Sequence, residues 1–144
     1  MANVMPWFAQ GIDAGNGVLE LKRPWWFFGP RRLNLRWDVT RSLPLFEAIV
    51  NTHTKLSETT KGVPLPPLGW TFSHDLITPH ALGGCNMGDT TQEGVVNHLG
   101  EVFRYKNLFV ADGAIIPTAL GVNPSRTIGA LAERIAKQIV TEGR

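Results

Sequence analysis

The chain has 144 residues, 43% hydrophobic and 18% charged, with a net charge of +2, which suits one domain able to bury about 70% of its extended surface. The charges are scattered, so no basic stripe argues for nucleic acid, although the small cationic excess weakly favours anionic ligands. No apolar run is long enough for a membrane span, the N-terminus lacks a signal-peptide pattern (which favours a cytoplasmic setting), and the single cysteine excludes an internal disulfide.

The first third reads as strands and turns. In QGIDAGNGVLELKR, apolar runs flank a Gly/Asn/Asp cluster from Asp13 to Gly17, the pattern of a hairpin. PWWFFGP, residues 24 to 30, sets four aromatics between prolines. Such a rigid apolar bend serves core packing or an edge cover, or else a substrate wall or partner surface. LNLRW, residues 33 to 37, alternates apolar and polar side chains and predicts a further strand. Ser42 is placed to cap a helix whose Leu45, Ile49, His53 and Leu56 share one face. KGVPLPPLG, residues 61 to 69, ends that helix in a stiff linker.

Residues 70 to 106 show little periodicity, and a long irregular region inside a compact domain is either functional or disordered. NLFVAD, residues 107 to 112, is an apolar run closed by Asp-Gly and predicts a buried strand. Beyond it, Ile128, Leu131, Ile135 and Ile139 fall at helical spacing. Asn123 suits the N-cap of that helix and Pro124 its first position. Glu133 and Lys137 pair one turn apart, and Gly143 falls just past the end.

A strand–loop–helix places ligands at the carboxyl end of its strand. Asp112 sits there, and the helix end near Asn123 adds free N–H groups and partial positive charge, so an anionic ligand is favoured. The plainer alternative is that Asp112 caps a turn and Asn123 caps the helix. HALGGCNMGD, residues 80 to 89, sets His80 before three glycines and the lone Cys85. A loop histidine is commonly no more than a hydrogen-bonded surface group. The spacing of His74, His80 and Cys85 matches no common zinc pattern, and GGCNMG lacks the Gly-Lys-Ser/Thr of a phosphate loop. A cysteine hydrolase would need an orienting third group, and none is evident.

Taken together, HALGGCNMG, NLFVADG, IPTALGVNPS and ALAERIA, in that order, resemble the C-terminal end of the glucose–methanol–choline (GMC) family of flavin oxidoreductases. The resemblance is strongest to the cholesterol oxidase branch, where a histidine precedes Leu-Gly-Gly-Cys. It runs from about Thr78 to Val140, with residues 7 to 60 more weakly compatible.

The resemblance implies an α+β fold. Antiparallel substrate-domain strands and a helix would occupy residues 1–106, with an active-site loop at 78–90. A strand–loop–helix of the FAD-binding domain would occupy residues 107–144. It implies FAD as cofactor and oxidation of a small-molecule alcohol, a CH–OH donor such as a sterol, by proton abstraction and hydride transfer to flavin. His80 matches the histidine over the flavin ring that takes or orients the hydroxyl proton. Asn123 matches the asparagine sharing that site. Asp112 and Gly113 match FAD contacts, and Asn123, Pro124 and Ser125 match the turn at the flavin's pyrimidine side. The glycines after His80, lacking Cβ, would let backbone pass close to cofactor or substrate.

Some features depart from the family pattern. The G-x-G-x-x-G segment that holds the FAD diphosphate is absent, since GIDAGNG has the wrong spacing and no helix after it. An upstream glutamate of the cholesterol oxidase branch has no counterpart. Ala81 stands where proline is frequent, and the stretch from Met87 to Asn107 is longer. The expectation is therefore a C-terminal portion, inactive alone, that pairs with an FAD-binding half or self-associates. The alternative is a non-catalytic binding module or truncated relic of such an enzyme.

Overall fold

The computed structural model describes residues 4–23, 29–66, 78 and 80–143. The aromatic bend at 24–28 and His74 lie outside the described residues. Among the described residues the architecture is α+β, with two antiparallel strands, two long helices and two 3-10 turns.

Strands β1 (Val18–Lys22) and β2 (Arg32–Arg36) form a two-stranded ribbon with Leu19 opposite Leu35 and Leu21 opposite Leu33. The alternation expected for 33–37 is realised one residue earlier. The hairpin expected around Asp13–Gly17 does not form, because β1 takes its partner from beyond the aromatic bend. The turn-rich cluster instead carries the chain across the start of the first helix. There Ala14 N–H donates to Ser42 Oγ (3.0 Å), and Asn16 Nδ2 donates to Asp38 O (2.9 Å). Period-2 alternation puts the four leucines on one face of the ribbon. On the other face Glu20 meets Arg36 (2.6 Å) and Lys22 (3.3 Å). Arg36 first, then Lys22, holds the Glu20 carboxyl below its usual range.

Helix α1 spans Leu43–Thr59. Ser42 stands at its N-cap but makes no side-chain cap, since its buried hydroxyl already accepts from Ala14. The half-buried face runs through Leu45, Ile49 and His53 to buried Ser57, while Leu56 turns outward. The helix closes where Gly62 N–H reaches back to Ser57 O (2.8 Å) and Lys61 adopts φ 57°, a left-handed stop that satisfies the last carbonyls.

The core lies in the C-terminal half. Val96, Ile115, Ile116 and Ile135 are buried, with Leu82, Met87 and Phe109 among the side chains packed around them. Residues 80–112 reach this core with isolated bridges only: Met87 to Val96, Val96 to Val102 and Glu101 to Phe109. The buried strand expected over 107–112 is thus a correction. Leu108–Val110 pairs only with Gly100–Val102, through Val102 N to Leu108 O (2.8 Å) and Val110 N to Gly100 O (2.9 Å), and Leu108 is 51% exposed. A strand is buried on both faces only where layers cover both faces of its sheet, and among the described residues Phe109 and Val110 pack on the core while Leu108 does not. Gly100 has φ +77°, and a Cβ there would lie 2.5 Å from Ile135 Cδ1.

Helix α2, Ser125–Glu142, lays Ile128, Leu131, Ile135 and Ile139 on the core as the spacing predicts. Glu133 and Lys137 pair at 2.6 Å, and Gly143 ends the helix at φ 66°. No described helix is long and apolar enough to cross a membrane.

The leucine face of the ribbon is open, with Leu19, Leu21, Leu33 and Leu35 all 55–68% exposed. Two outcomes follow from this packing. Ile135→Ala removes a side chain 1% exposed and costs about 2–5 kcal/mol in urea unfolding. Leu21→Lys places charge on an exposed site and costs under about 0.5 kcal/mol. The same variant weakens the concentration-dependent self-association expected in sedimentation, whereas a parent chain that is monomeric at every concentration contradicts an association face there.

Candidate active site

Two segments distant in sequence converge below the start of α2. The loop after His80 runs beside the 3-10 turn Gly113–Ile115. Gly83 N donates to Gly113 O (3.2 Å), Cys85 N to Ala114 O (3.0 Å) and Met87 N to Ile115 O (3.0 Å). Gly83 and Gly84 have φ of +85° and +105°, a region L-residues avoid, so glycine at these positions is a backbone requirement. Asn86, which the sequence reading passed over, accepts Gly84 N on its side chain (3.3 Å) and Val95 N on its carbonyl (2.7 Å). It ties the loop to the core strand segments, and its offset of two from Gly84 is the only local signal of that role.

Asp112 caps the turn, its Oδ1 accepting from Ala114 N (2.8 Å). The plainer reading of this residue is therefore true of the structure. Among the described residues Asp112 makes no hydrogen bond to His80 or Asn123. Gly113 is packed against protein: a Cβ there would lie 3.2 Å from both Ile128 Cδ1 and Leu82 Cδ2. Its small size lets the loop close against α2.

Asn123 Oδ1 accepts from Ser125 N (3.0 Å). The helix begins at Ser125, one residue later than expected, with Pro124 at φ −82° and ψ −5° before it. Asn123 nonetheless does the capping work expected of it. Ser125 Oγ lies 3.5 Å from His80 Nε2, on the accessible side. His80 N–H donates to Thr78 Oγ1 (3.3 Å), and its Nδ1 is buried with no partner among the described residues. The structure thus brings His80, Asn123 and Ser125 together, with Ser125 touching both of the others. Asp112 and Gly113 are joined to the same loop through backbone. The contact between Ser125 and His80 has no sequence signal.

A cavity of about 490 Å³ opens nearby, lined in part by Met87, Asp89, Glu93, His98 and Leu131. His80, Asn123 and Ser125 do not line it. Among the described residues no three His, Cys, Asp or Glu side chains are grouped to hold a metal.

Comparison with known proteins adds a second line of observation. The family model for GMC oxidoreductase matches residues 34–132, well over half of the chain. A cholesterol oxidase of Acinetobacter baumannii is 37% identical over 123 residues, 84% of this chain and 21% of that protein. A long-chain-alcohol oxidase of Arabidopsis thaliana is 46% identical over 64 residues, 44% of this chain and 9% of that protein. A cholesterol oxidase of Mycobacterium tuberculosis is 48% identical over 60 residues, 42% of this chain and 10% of that protein. The chain spans about a fifth of the length of the Acinetobacter relative. The His80 loop, the Asp112–Gly113 turn and the capped start of α2 all fall inside the matched span, and on that combined footing the chain belongs to the GMC oxidoreductases, a family of flavin-containing oxidoreductases.

Proposed function

We propose that this chain is the C-terminal, active-site portion of an FAD-dependent enzyme that oxidises an alcohol. The observation that carries the reading is the meeting of the His80 loop and the Asn123-capped helix end at Ser125. Residues 1–106 would contribute substrate-domain strands and the active-site loop 78–90, and residues 107–144 the last piece of the FAD-binding domain. A sterol or a long-chain alcohol is the favoured substrate class, from the names of the relatives. The exposed leucine face of the ribbon supports a second polypeptide surface, carrying the diphosphate-binding segment, as the partner.

The residues fit FAD. The first-turn N–H groups of Arg126 and Thr127 have no intrahelical acceptor, and the helix end favours negative charge. Asn123 uses its oxygen on Ser125 and keeps its amide nitrogen for a ligand. Asp112 uses one oxygen on Ala114 and keeps the other. Asp112, Gly113, Asn123, Pro124 and Ser125 are the residues that would hold the cofactor. When bound, FAD supplies the hydride acceptor. His80 orients the substrate hydroxyl oxygen through Nε2, the ring nitrogen left accessible once Nδ1 is buried. Asn123 orients the substrate oxygen through its free amide.

A chimaera tests this reading. The 144 residues replace the matching segment of the Acinetobacter cholesterol oxidase, which keeps the rest of its own chain. Anaerobic addition of a sterol or long-chain alcohol should bleach the flavin. His80→Ala should slow that bleaching by about 10²–10³-fold, the usual cost of losing one oriented donor, with flavin content unchanged. Equal bleaching rates in the two proteins would sink the assignment of His80.

A further inference from the structure

Ser125 is a residue whose backbone and side chain have separate duties. Its N–H is held by Asn123 Oδ1 at 3.0 Å. That bond fixes the backbone at the first residue of α2, and so fixes where Oγ can point. Oγ lies 3.5 Å from His80 Nε2, across a separation of 45 residues. The histidine is constrained from the other side too, because its backbone is tied to Thr78 (3.3 Å) and the following loop is bonded to Gly113–Ile115. Its Nδ1 is buried with no partner among the described residues.

A neutral imidazole carries one N–H and one bare lone pair. Placing the N–H at Nδ1 would bury a donor with nothing to receive it, the rarer and costlier defect. Placing it at Nε2 leaves only a lone pair buried and gives the N–H an acceptor in Ser125 Oγ. We propose that Ser125 is the positioning residue of His80: its hydroxyl accepts from Nε2–H, and fixes the ring in one orientation and one tautomer. The hydroxyl thereby lies against the nitrogen that an incoming alcohol must reach. The ring is held ready without a ligand, and Oγ yields to the substrate oxygen when it arrives. The catalytic meaning rests on the proposed function, but the positioning itself does not.

The test uses the 144-residue chain without flavin, so that its failure and the failure of the alcohol-oxidising reading are told apart. Long-range ¹H–¹⁵N spectra of the labelled chain report the tautomer, with the His80 signals identified by their loss in His80→Gln. The expected result is an Nε2–H tautomer whose Hε2 exchanges slowly with water. Ser125→Ala should speed that exchange by up to about tenfold, the loss of one ordinary hydrogen bond, and shift the Nε2 resonance. Ser125→Thr, which keeps a hydroxyl, should restore both. If Ser125→Ala does not fold, Ser125→Cys is read in the same way, because a thiol keeps the volume and accepts poorly. An Nδ1–H tautomer in the parent chain, or an Hε2 exchange rate unmoved by loss of the hydroxyl, overturns the proposal.

Discussion

Three backbone hydrogen bonds between Gly83, Cys85 and Met87 on one side and Gly113, Ala114 and Ile115 on the other hold the candidate site together. Each contributes only about 0.5–1.5 kcal/mol net. Their weight lies in what they fix. Ile115 is fully buried in the core, so the turn cannot slide. The loop bonded to it cannot slide either without leaving amides unpaired. His80 sits at the head of that loop, and α2 packs Ile128 onto the same turn. The distance between His80 and the start of α2 therefore follows from the packing of an apolar core and needs no direct strong bond between them.

The molecule is uneven in how well it is covered. Around Ile115 and Ile135 it has a close-packed interior. Its N-terminal ribbon has ladder bonds, two ion pairs on one face and four exposed leucines on the other. Helix α1 has a single buried residue, Ser57, which is still 9% exposed. A two-stranded ribbon is at best marginal in water without something packed on its apolar face. The best-packed part is also the part that carries His80, Asp112 and Asn123. The geometry of those residues thus depends on contacts internal to the chain, while the ribbon and α1 depend more on what lies against them.

Local rules were legible where they are complete within a few residues. The spacing of Ile128, Leu131, Ile135 and Ile139 defines the buried face of α2, and Asn-Pro-Ser marks its start, because helix periodicity and capping are short-range. The Leu-Asn-Leu alternation gave β2 for the same reason. The partner of β1 was not legible, since alternation declares a strand without naming its neighbour. The run Leu108–Val110 misled in a related way: its apolar character predicts a strand covered on two faces, whereas among the described residues it has one short neighbour and Leu108 is 51% exposed. Residues 80–106 gave no period because single bridges and Asn side chains hold them in place of ladders. The motif His-Ala-Leu-Gly-Gly-Cys pointed to His80, but no local pattern carries its contact with Ser125.

The most direct test of the central claim is a crystal structure of the FAD-loaded chimaera that carries these residues. The account predicts the flavin ring between the His80 loop and the first turn of α2, with His80 Nε2 and Asn123 Nδ2 facing a common space beside it. It also predicts backbone bonds from Gly83, Cys85 and Met87 unchanged from those seen here. A flavin seated elsewhere, or a His80 ring turned away from it with that backbone intact, would contradict the account.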